Sequence, residues 1–203
     1  MLLVSSSMEE IEKEILSCGK CPLWKTNTNY VPGDGNYQAE VVFVGEAPGK
    51  EEDLQGKPFV GAAGRVLTEM IEGVLNLSRK DVYITNILKC RPPHNRDPQP
   101  EEVEACTPYL LRQLEAIDPS VLVCLGKHSA SFAFSLFDLD FPGISKVKGQ
   151  LKEVNGMKII AVYHPAAILY RPQLRESYEK DFQKIATLIK GNKRSSTTLL
   201  DFL

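Results

Sequence analysis

The sequence predicts an α/β fold: a three-layer α/β/α sandwich in which helices cover both faces of a mainly parallel sheet. Short apolar runs rich in valine and isoleucine alternate with longer segments whose apolar residues recur at helical spacing. The runs are apolar at nearly every position, which is typical of strands buried on both faces. With 203 residues, 43% of them hydrophobic, the chain suits one domain, expected over 1–190, followed by a flexible polar tail over 191–203.

The first half of the chain contains two predicted helices and two predicted strands. The helices have apolar residues on one face, whereas the strands are short β-branched runs, and Gly and Pro residues separate them. The elements are a helix over 8–17, a strand over 40–44, a long loop over 45–64, a helix over 65–75 and a strand over 82–85.

The second half follows the same alternation and ends with a hairpin and a helix. Pro119 separates a helix from the next apolar run, and the Asn155-Gly156 pair is typical of a tight hairpin turn. The elements are a loop over 89–100, a helix over 101–116, a strand over 121–126, a helix over 129–137, a hairpin over 146–165, a loop over 166–171 and a helix over 172–190.

Charge and apolar runs limit the classes of partner. The formal net charge is −2, so affinity for nucleic acid has to come from a local basic surface. The apolar run over 1–4 is too short for a membrane span and lacks the flanks of a signal peptide. We therefore expect a cytoplasmic protein with no membrane partner, in which the five cysteines indicate a metal site before they indicate disulfides.

Four of the cysteines form two groups. Cys18 and Cys21 have C-x2-C spacing, and fifteen residues separate Cys90 from Cys106. Four thiolates suit a zinc ion or an iron–sulfur cluster, and the spacing alone does not separate the two. The alternative is that these cysteines are small buried hydrophobes, the role we expect for Cys124 in its strand. A metal group would hold the N-terminal segment against the loop over 91–100, whose Arg91 and Arg96 could contact phosphate.

Polar residues also stand where predicted strands end, the usual place for a site in an α/β sheet. The loop at Gly45–Gly49 lacks the residues of a nucleotide-phosphate loop, but it carries Glu46. Asn86 ends a strand, and its amide both donates and accepts, as reading a pyrimidine edge requires. His164 ends another strand, and Phe59 lies in a Gly- and Pro-bounded loop. The alternatives are an Asx turn for Asn86, packing for Phe59 and a structural role for His164.

Taken together, these motifs resemble those of the family 4 uracil-DNA glycosylases, the iron–sulfur type. The resemblance covers about 11–189 and rests on GEAPG, EED-x-x-G-x-PFVG-x-AG, TN, KCRPP-x-NR-x-P, a later cysteine and HPAA, at 45–49, 51–64, 85–86, 89–98, 106 and 164–167. It implies a central four-stranded sheet and an enzyme that flips uracil out of DNA, hydrolyses its N-glycosidic bond and leaves an abasic site. A monomer suits an enzyme that must surround one extruded base, and we expect it in the cytoplasm, associated with the nucleoid.

The resemblance also implies roles for single residues. A structural [4Fe–4S] cluster would be held by Cys18, Cys21, Cys90 and Cys106. In the uracil pocket, Phe59 would stack on the base, Asn86 would bond its Watson–Crick edge and His164 would bond O2. Backbone groups of Glu46 and Ala47, with Pro48, would line the pocket and hold the attacking water, and Glu52 would lie near C5.

Two departures leave roles open. Ala47 stands where a better-known glycosylase family has an aspartate that orients water, so Glu46 and main-chain carbonyls are the candidates for that task. Tyr170 stands in the loop after HPAA where relatives commonly carry arginine, and Arg171 is a candidate substitute. The residue that wedges into the base stack is therefore one of Ile168, Leu169 and Tyr170.

The C-terminal residues predict a partner. Leu199, Phe202 and Leu203 fall on one face of a helical turn and resemble, in degenerate form, the peptide that binds PCNA-type sliding clamps. The alternative is an apolar end that folds back on the domain. Two further alternatives concern the whole chain: a non-catalytic iron–sulfur or zinc module that binds nucleic acid, and a nucleotide-binding α/β enzyme.

Overall fold

The computed structural model describes residues 6–190. In chain order the strands and helices are α1 (Met8–Leu16), β1 (Asp34–Gly35), β2 (Val41–Gly45), α2 (Lys50–Gln55), α3 (Ala62–Gly73), β3 (Tyr83–Asn86), α4 (Pro100–Ile117), β4 (Val121–Leu125), α5 (Lys127–Leu136), α6 (Ile144–Val147), β5 (Leu151–Val154), β6 (Met157–Val162), α7 (Pro165–Tyr170) and α8 (Arg175–Lys190). Single 3-10 turns cover Pro22–Lys25, Pro93–Asn95 and Pro172–Leu174. Within 6–190, none of the helices is both long and apolar enough to cross a lipid bilayer.

The strands form one sheet in the order β1-β3-β2-β4-β6-β5. The four inner strands, β3, β2, β4 and β6, are parallel, and the two edge strands pair antiparallel with their neighbours. The predicted α/β class and mainly parallel sheet are confirmed. The predicted count of four strands describes only the parallel core and is corrected to six, because the two-residue β1 and the hairpin strand β5 add an antiparallel edge on each side.

Helices pack on both faces of the sheet, which makes three layers. Alternate residues of β2 point to opposite sides: Val42 packs in a cluster with α1, α4 and α5, whereas Phe43 packs in a second cluster with α3 and α8. Both side chains are fully buried, each contributing about 1.5–3 kcal/mol to folding. Cys124 lies fully buried in the first cluster, as expected for a structural cysteine.

Three short helices lie where the sequence predicts loop or strand. Helix α2 falls inside the predicted loop over 45–64, α7 inside the loop over 166–171, and α6 where the hairpin's first strand was expected to start. Each has four to six residues, too few to repeat an apolar period. The hairpin turn itself is confirmed, with positive φ at both Asn155 and Gly156.

The ends of the parallel strands bring the polar segments that follow them to one edge of the sheet. Gly45 at the end of β2 is in register with Asn86 at the end of β3. Leu125 at the end of β4 is in register with Val162 at the end of β6, just before His164. After β2 the chain adds β3 on one side of that strand and then crosses over to add β4 on its other side. Open α/β sheets form a crevice at such a reversal of the strand order.

Candidate active site

A cavity of about 340 Å³ opens at these strand ends, a size typical of small-molecule sites. All seven residues predicted to contact uracil line it: Glu46, Ala47, Pro48, Glu52, Phe59, Asn86 and His164. The remaining lining residues are Gly49, Ala63, Pro92, Asn95, Arg96 and Ala166.

Asn86 presents a buried amide to this cavity. Only 2% of the residue is exposed, and its Oδ1 has no hydrogen-bond partner among the described residues. A buried acceptor left unpaired costs about 1–3 kcal/mol, so a donor on a ligand is the natural partner. The backbone is fixed from below, because the buried Lys89 Nζ donates to the Asn86 carbonyl at 2.7 Å. A Cβ at position 45 would lie 2.3 Å from Asn86 Oδ1 and clash with it, so only glycine at that position leaves room for the amide.

His164 is a neutral imidazole with a defined tautomer. Its Nδ1 accepts from the Ala166 N–H at 3.2 Å, which caps α7 and leaves the ring proton on Nε2. Burial lowers the pKa of His164 to about 4, although the charge of Glu52 opposes that shift. At neutral pH the ring is therefore an uncharged Nε2–H donor. Gly126, with φ of +93°, allows the close approach, because a Cβ there would lie 2.8 Å from the His164 Cβ.

Phe59 lies beside His164 in a strained backbone conformation. Its φ is +52°, in the left-handed region that a bulky side chain rarely adopts. The two ring centroids are 5.7 Å apart, with an angle of 36° between the planes. Glu52 Oε1 accepts from the N–H groups of Val60 and Gly61, both at 3.2 Å. The Glu52 carboxylate therefore also holds the loop that carries the aromatic ring.

Glu46 has neighbours that the sequence did not predict. His128 Nε2 on α5 lies 4.0 Å from Glu46 Oε2 and 3.8 Å from Asp97 Oδ2. Burial raises the pKa of Glu46, His128 opposes that shift and Asp97 adds to it. The Glu46 carbonyl accepts from the Leu88 N–H at 3.0 Å, which leaves its second lone pair and the carboxylate as groups that can bind a water molecule.

The four predicted cysteine ligands line a second, apolar cavity. It brings together the end of α1, the loop after β3 and the first half of α4, with Leu23, Tyr30 and Tyr109 among its walls. Burial raises the pKa of three of the thiols, those of Cys21, Cys90 and Cys106. Thiolates there need a positive group, and the Lys89 N–H already donates to the Cys106 sulfur at 3.3 Å.

The separation of the sulfurs bears on which metal group fits. Four sulfurs around one zinc ion would lie about 3.8 Å apart, given Zn–S bonds of about 2.3 Å in a tetrahedron. Among the described residues, no three cysteine sulfurs lie within 4.8 Å of one another. The sulfurs are therefore not arranged as they would be around one zinc ion, and four cysteines that line one cavity also suit an iron–sulfur cluster.

The arginines predicted to contact DNA differ in whether their side chains are already hydrogen-bonded within the protein. Arg96 is bound by the buried Glu102 carboxylate through two hydrogen bonds of 2.5 and 2.9 Å, and Arg91 Nε donates to Asn95 Oδ1 at 2.7 Å. Arg171 is exposed. These contacts hold the loop over 91–100 in shape beside the cavity.

The wedge candidates are reduced from three to two. Ile168 is 5% exposed and packs in the core, so its candidacy is corrected: a wedge has to be free to enter DNA. Leu169 and Tyr170 are 45% and 85% exposed at the end of α7, the helix that begins directly after His164. Leu199, Phe202 and Leu203, which are predicted to bind a sliding clamp, lie outside the described residues.

Comparison with known proteins identifies the family. A family model for the uracil DNA glycosylase superfamily matches residues 32–188. A type-4 uracil-DNA glycosylase of Archaeoglobus fulgidus is 63% identical over 201 residues, covering 97% of this chain and 99% of that protein. Proteins of the same description from Sulfurisphaera tokodaii and Thermotoga maritima are 50% and 43% identical, over 93% and 90% of this chain and 87% and 95% of their own lengths. The chain therefore belongs to the uracil-DNA glycosylase superfamily, among its type-4 members.

Proposed function

We propose that this protein hydrolyses the N-glycosidic bond of uracil in DNA and leaves an abasic site for base-excision repair. One observation carries the proposal: the strand-end cavity combines the unpaired amide oxygen of Asn86 with the neutral imidazole of His164 and the ring of Phe59. The relatives described as type-4 uracil-DNA glycosylases support it across nearly the whole chain.

Recognition of the base is the task of Asn86 and Phe59. The unpaired Oδ1 accepts from uracil N3–H, and the amide Nδ2–H donates to O4. Cytosine presents the opposite pattern, an acceptor at N3 and a donor at C4, so it would leave both amide groups mismatched in a buried site. Phe59 stacks on the extruded base and offsets part of the unstacking cost of a few kcal/mol.

Stabilisation of the leaving group is the task of His164. As the bond from C1′ to N1 breaks, positive charge develops on the sugar and negative charge on the uracil ring. The neutral Nε2–H donates to O2, where that charge gathers, and a preset donor of this kind is worth about 3 kcal/mol. With a pKa of about 4, His164 does this without protonating the base.

Delivery of water is assigned to Glu46. Its partly buried carboxylate lines the cavity, and its raised pKa suits a group that accepts a proton as water adds to C1′. The hydroxyl group bonds to C1′, the departing uracil keeps the electron pair of the broken bond, and the proton of the water passes to the carboxylate. Ala47 contributes only backbone, because it carries no carboxylate.

Contact with DNA is assigned to α7 and the loop over 91–100. Leu169 and Tyr170 are exposed at the C-terminal end of α7, the helix that His164 caps, and they suit the space that the flipped nucleotide leaves in the stack. Arg91 and Arg171 suit the flanking phosphates. Arg96 is already hydrogen-bonded to Glu102, so it also stabilises the conformation of the loop over 91–100.

The four cysteines suit a [4Fe–4S] cluster as the structural metal group. Their shared cavity and the N–H bond to Cys106 support a metal group held by thiolates. Among residues 6–190 no three of the sulfurs lie within 4.8 Å of one another, which favours a cluster over a single zinc ion. When bound, the cluster would offset part of the charge of the buried thiolates and link the N-terminal segment to α4 and to the loop over 91–100. The chemistry of base removal does not involve it.

Three predictions about the cellular context remain proposals. Clamp binding through Leu199, Phe202 and Leu203 would tether the enzyme to a replicating or repaired duplex, and deletion of 196–203 tests it by measuring affinity for a purified sliding clamp. Association with the nucleoid in the cytoplasm and a monomeric state are the others, both suited to an enzyme that surrounds one base.

The activity is tested with a duplex that contains a single uracil. The purified full chain should convert that position to an alkali-labile abasic site, and matched duplexes with thymine or cytosine at the same position should stay intact. An intact uracil duplex after binding has been demonstrated would favour the non-catalytic nucleic-acid-binding module instead.

A further inference from the structure

The backbone of Phe59 needs an external restraint. Its φ of +52° is unfavourable for a bulky residue by about 1–3 kcal/mol. The ring is 6% exposed and lies against the cavity, so a relaxed backbone would move it away from a base held there. We call the segment from Pro58 to Gly61 the bend. The carbonyls of Pro58 and Phe59 in it need hydrogen-bond donors because the segment belongs to neither a helix nor a strand.

Arg79 supplies those donors from a separate segment, the loop between α3 and β3. Its Nη1 donates to the Phe59 carbonyl at 3.1 Å and its Nη2 donates to the Pro58 carbonyl at 3.0 Å. Nη1 also donates to Thr68 Oγ1 on α3 at 3.2 Å. The planar fork of a guanidinium meets two successive carbonyls, a task for which lysine has no equivalent.

The remainder of Arg79's surroundings indicates that this is its main task. The side chain is partly buried, and within residues 6–190 it forms no salt bridge. Asp34 and Glu72 are near enough to influence its charge but do not pair with it. Its strong donors are directed at the bend beside the cavity.

Two other contacts also restrain the bend. Glu52 accepts from the N–H groups of Val60 and Gly61, and a Cβ at Gly64 would lie 1.8 Å from the Phe59 carbonyl oxygen. The bend is thus held between a cation that binds its carbonyls and an anion that binds its N–H groups. Of the two, Arg79 alone does not line the cavity.

We infer that Arg79 is a positioning residue for uracil excision, which acts by holding the Phe59 ring where the extruded base stacks. The inference rests on the proposed stacking role of Phe59. Arg79 does not line the cavity, so we expect its effect on the reaction to pass through the position of the Phe59 ring.

The test is a double-mutant cycle of Arg79→Ala and Phe59→Ala on the full chain. Single-turnover excision from a single-uracil duplex is measured for the wild type, both single variants and the double variant, and the inhibition constant for free uracil is measured in parallel. Arg79→Ala should slow excision about 10- to 100-fold and weaken inhibition by uracil, since small displacements of positioning groups cost up to about 100-fold. In the Phe59→Ala background the same change should cost less than about twofold.

Controls separate positioning from folding. Arg175→Ala removes an exposed arginine that bonds Glu69 and Glu179, and it should leave excision unchanged. Thermal unfolding is recorded for every variant, and Arg79→Lys, which keeps the charge and loses the fork, replaces Arg79→Ala in the cycle if the latter does not fold. A merely structural arginine would lower the melting temperature without any coupling to Phe59.

Each outcome has one interpretation. Equal losses from Arg79→Ala in both backgrounds, or no loss in the wild-type background, would overturn the positioning role. Full activity of Phe59→Ala would remove the stacking role on which the inference rests. Failure of the wild type to excise uracil would refute the proposed function itself, so the three failures are distinct.

Discussion

Replacing His164 should slow uracil excision strongly, and the structure separates the catalytic loss from a structural one. The imidazole does two things: Nδ1 caps α7 by accepting from the Ala166 N–H, and Nε2–H is the proposed donor to O2. Loss of the donor should cost about 100- to 1000-fold in rate, the range for a single preset donor to a developing oxyanion. Loss of the cap should cost about 0.5–2 kcal/mol of stability.

Two variants separate these effects. His164→Ala removes both the cap and the donor, whereas His164→Asn restores a good cap acceptor on a side chain too short to replace the imidazole donor. Single-turnover excision from a single-uracil duplex should be low in both, while the melting temperature should recover in His164→Asn. Activity that recovers together with the melting temperature would refute the reasoning, because the role of His164 would then be structural.

The remaining predictions concern recognition, water, protons and the metal group. Asn86→Asp should slow uracil excision about tenfold or more and lower the uracil-to-cytosine rate ratio, because a carboxylate accepts only; an unchanged ratio contradicts the recognition scheme. Glu46→Gln should reduce the single-turnover rate about 100-fold with little change in DNA affinity, and full activity would exclude the carboxylate from water activation. Since the folded-state pKa of His164 is about 4, below the ordinary value of about 6.5, the unfolded chain binds a proton that the folded chain refuses. The free energy of unfolding, measured by urea denaturation, should therefore fall as the pH falls from about 6.5 to 4. The fall should be smaller in His164→Asn. Metal analysis of anaerobically purified protein should give about four iron atoms per chain, and stoichiometric zinc would contradict the cluster; removal of the iron should open the segment around Cys18 to protease.

The strand-end residues could be predicted from the sequence because their signals are local. Asn86 and His164 each follow a short β-branched run, and parallel strands necessarily bring such ends to one edge. The C-x2-C pair at Cys18 likewise needs no structure to indicate a metal site. The family motifs added the roles, and the cavity contains every residue that those motifs implied for uracil.

The features of the site that could not be predicted from the sequence depend on contacts between segments far apart in the chain. His128 meets Glu46 only because α5 begins beside the end of β2, and nothing in its own neighbourhood indicates that contact. Arg79 lies in a loop with no periodic pattern, and the positive φ of Phe59 occurs where Gly64 and Arg79 both approach its carbonyl. The protonation state of His164 likewise required its burial and its Nδ1 contact.

One edge strand, β1, and the very short helices were missed for a different reason. Strand β1 has two residues and α2 has six, so neither repeats a pattern that separates it from loop. Helix α2 is nevertheless favoured locally, since Glu51, Glu52 and Asp53 occupy its first turn, where the helix dipole stabilises negative charge. That helix places Glu52 against the Phe59 loop, so the missed element is also a functional one.

The most direct test of the central claim is the chemical identity of the product released from a uracil-containing duplex. Chromatography of the reaction mixture should show free uracil, in equal amount to the abasic sites formed, with both products absent for matched cytosine and thymine duplexes. Release of a nucleotide, or binding without any release, would contradict the assignment of the strand-end cavity as a uracil-excision site.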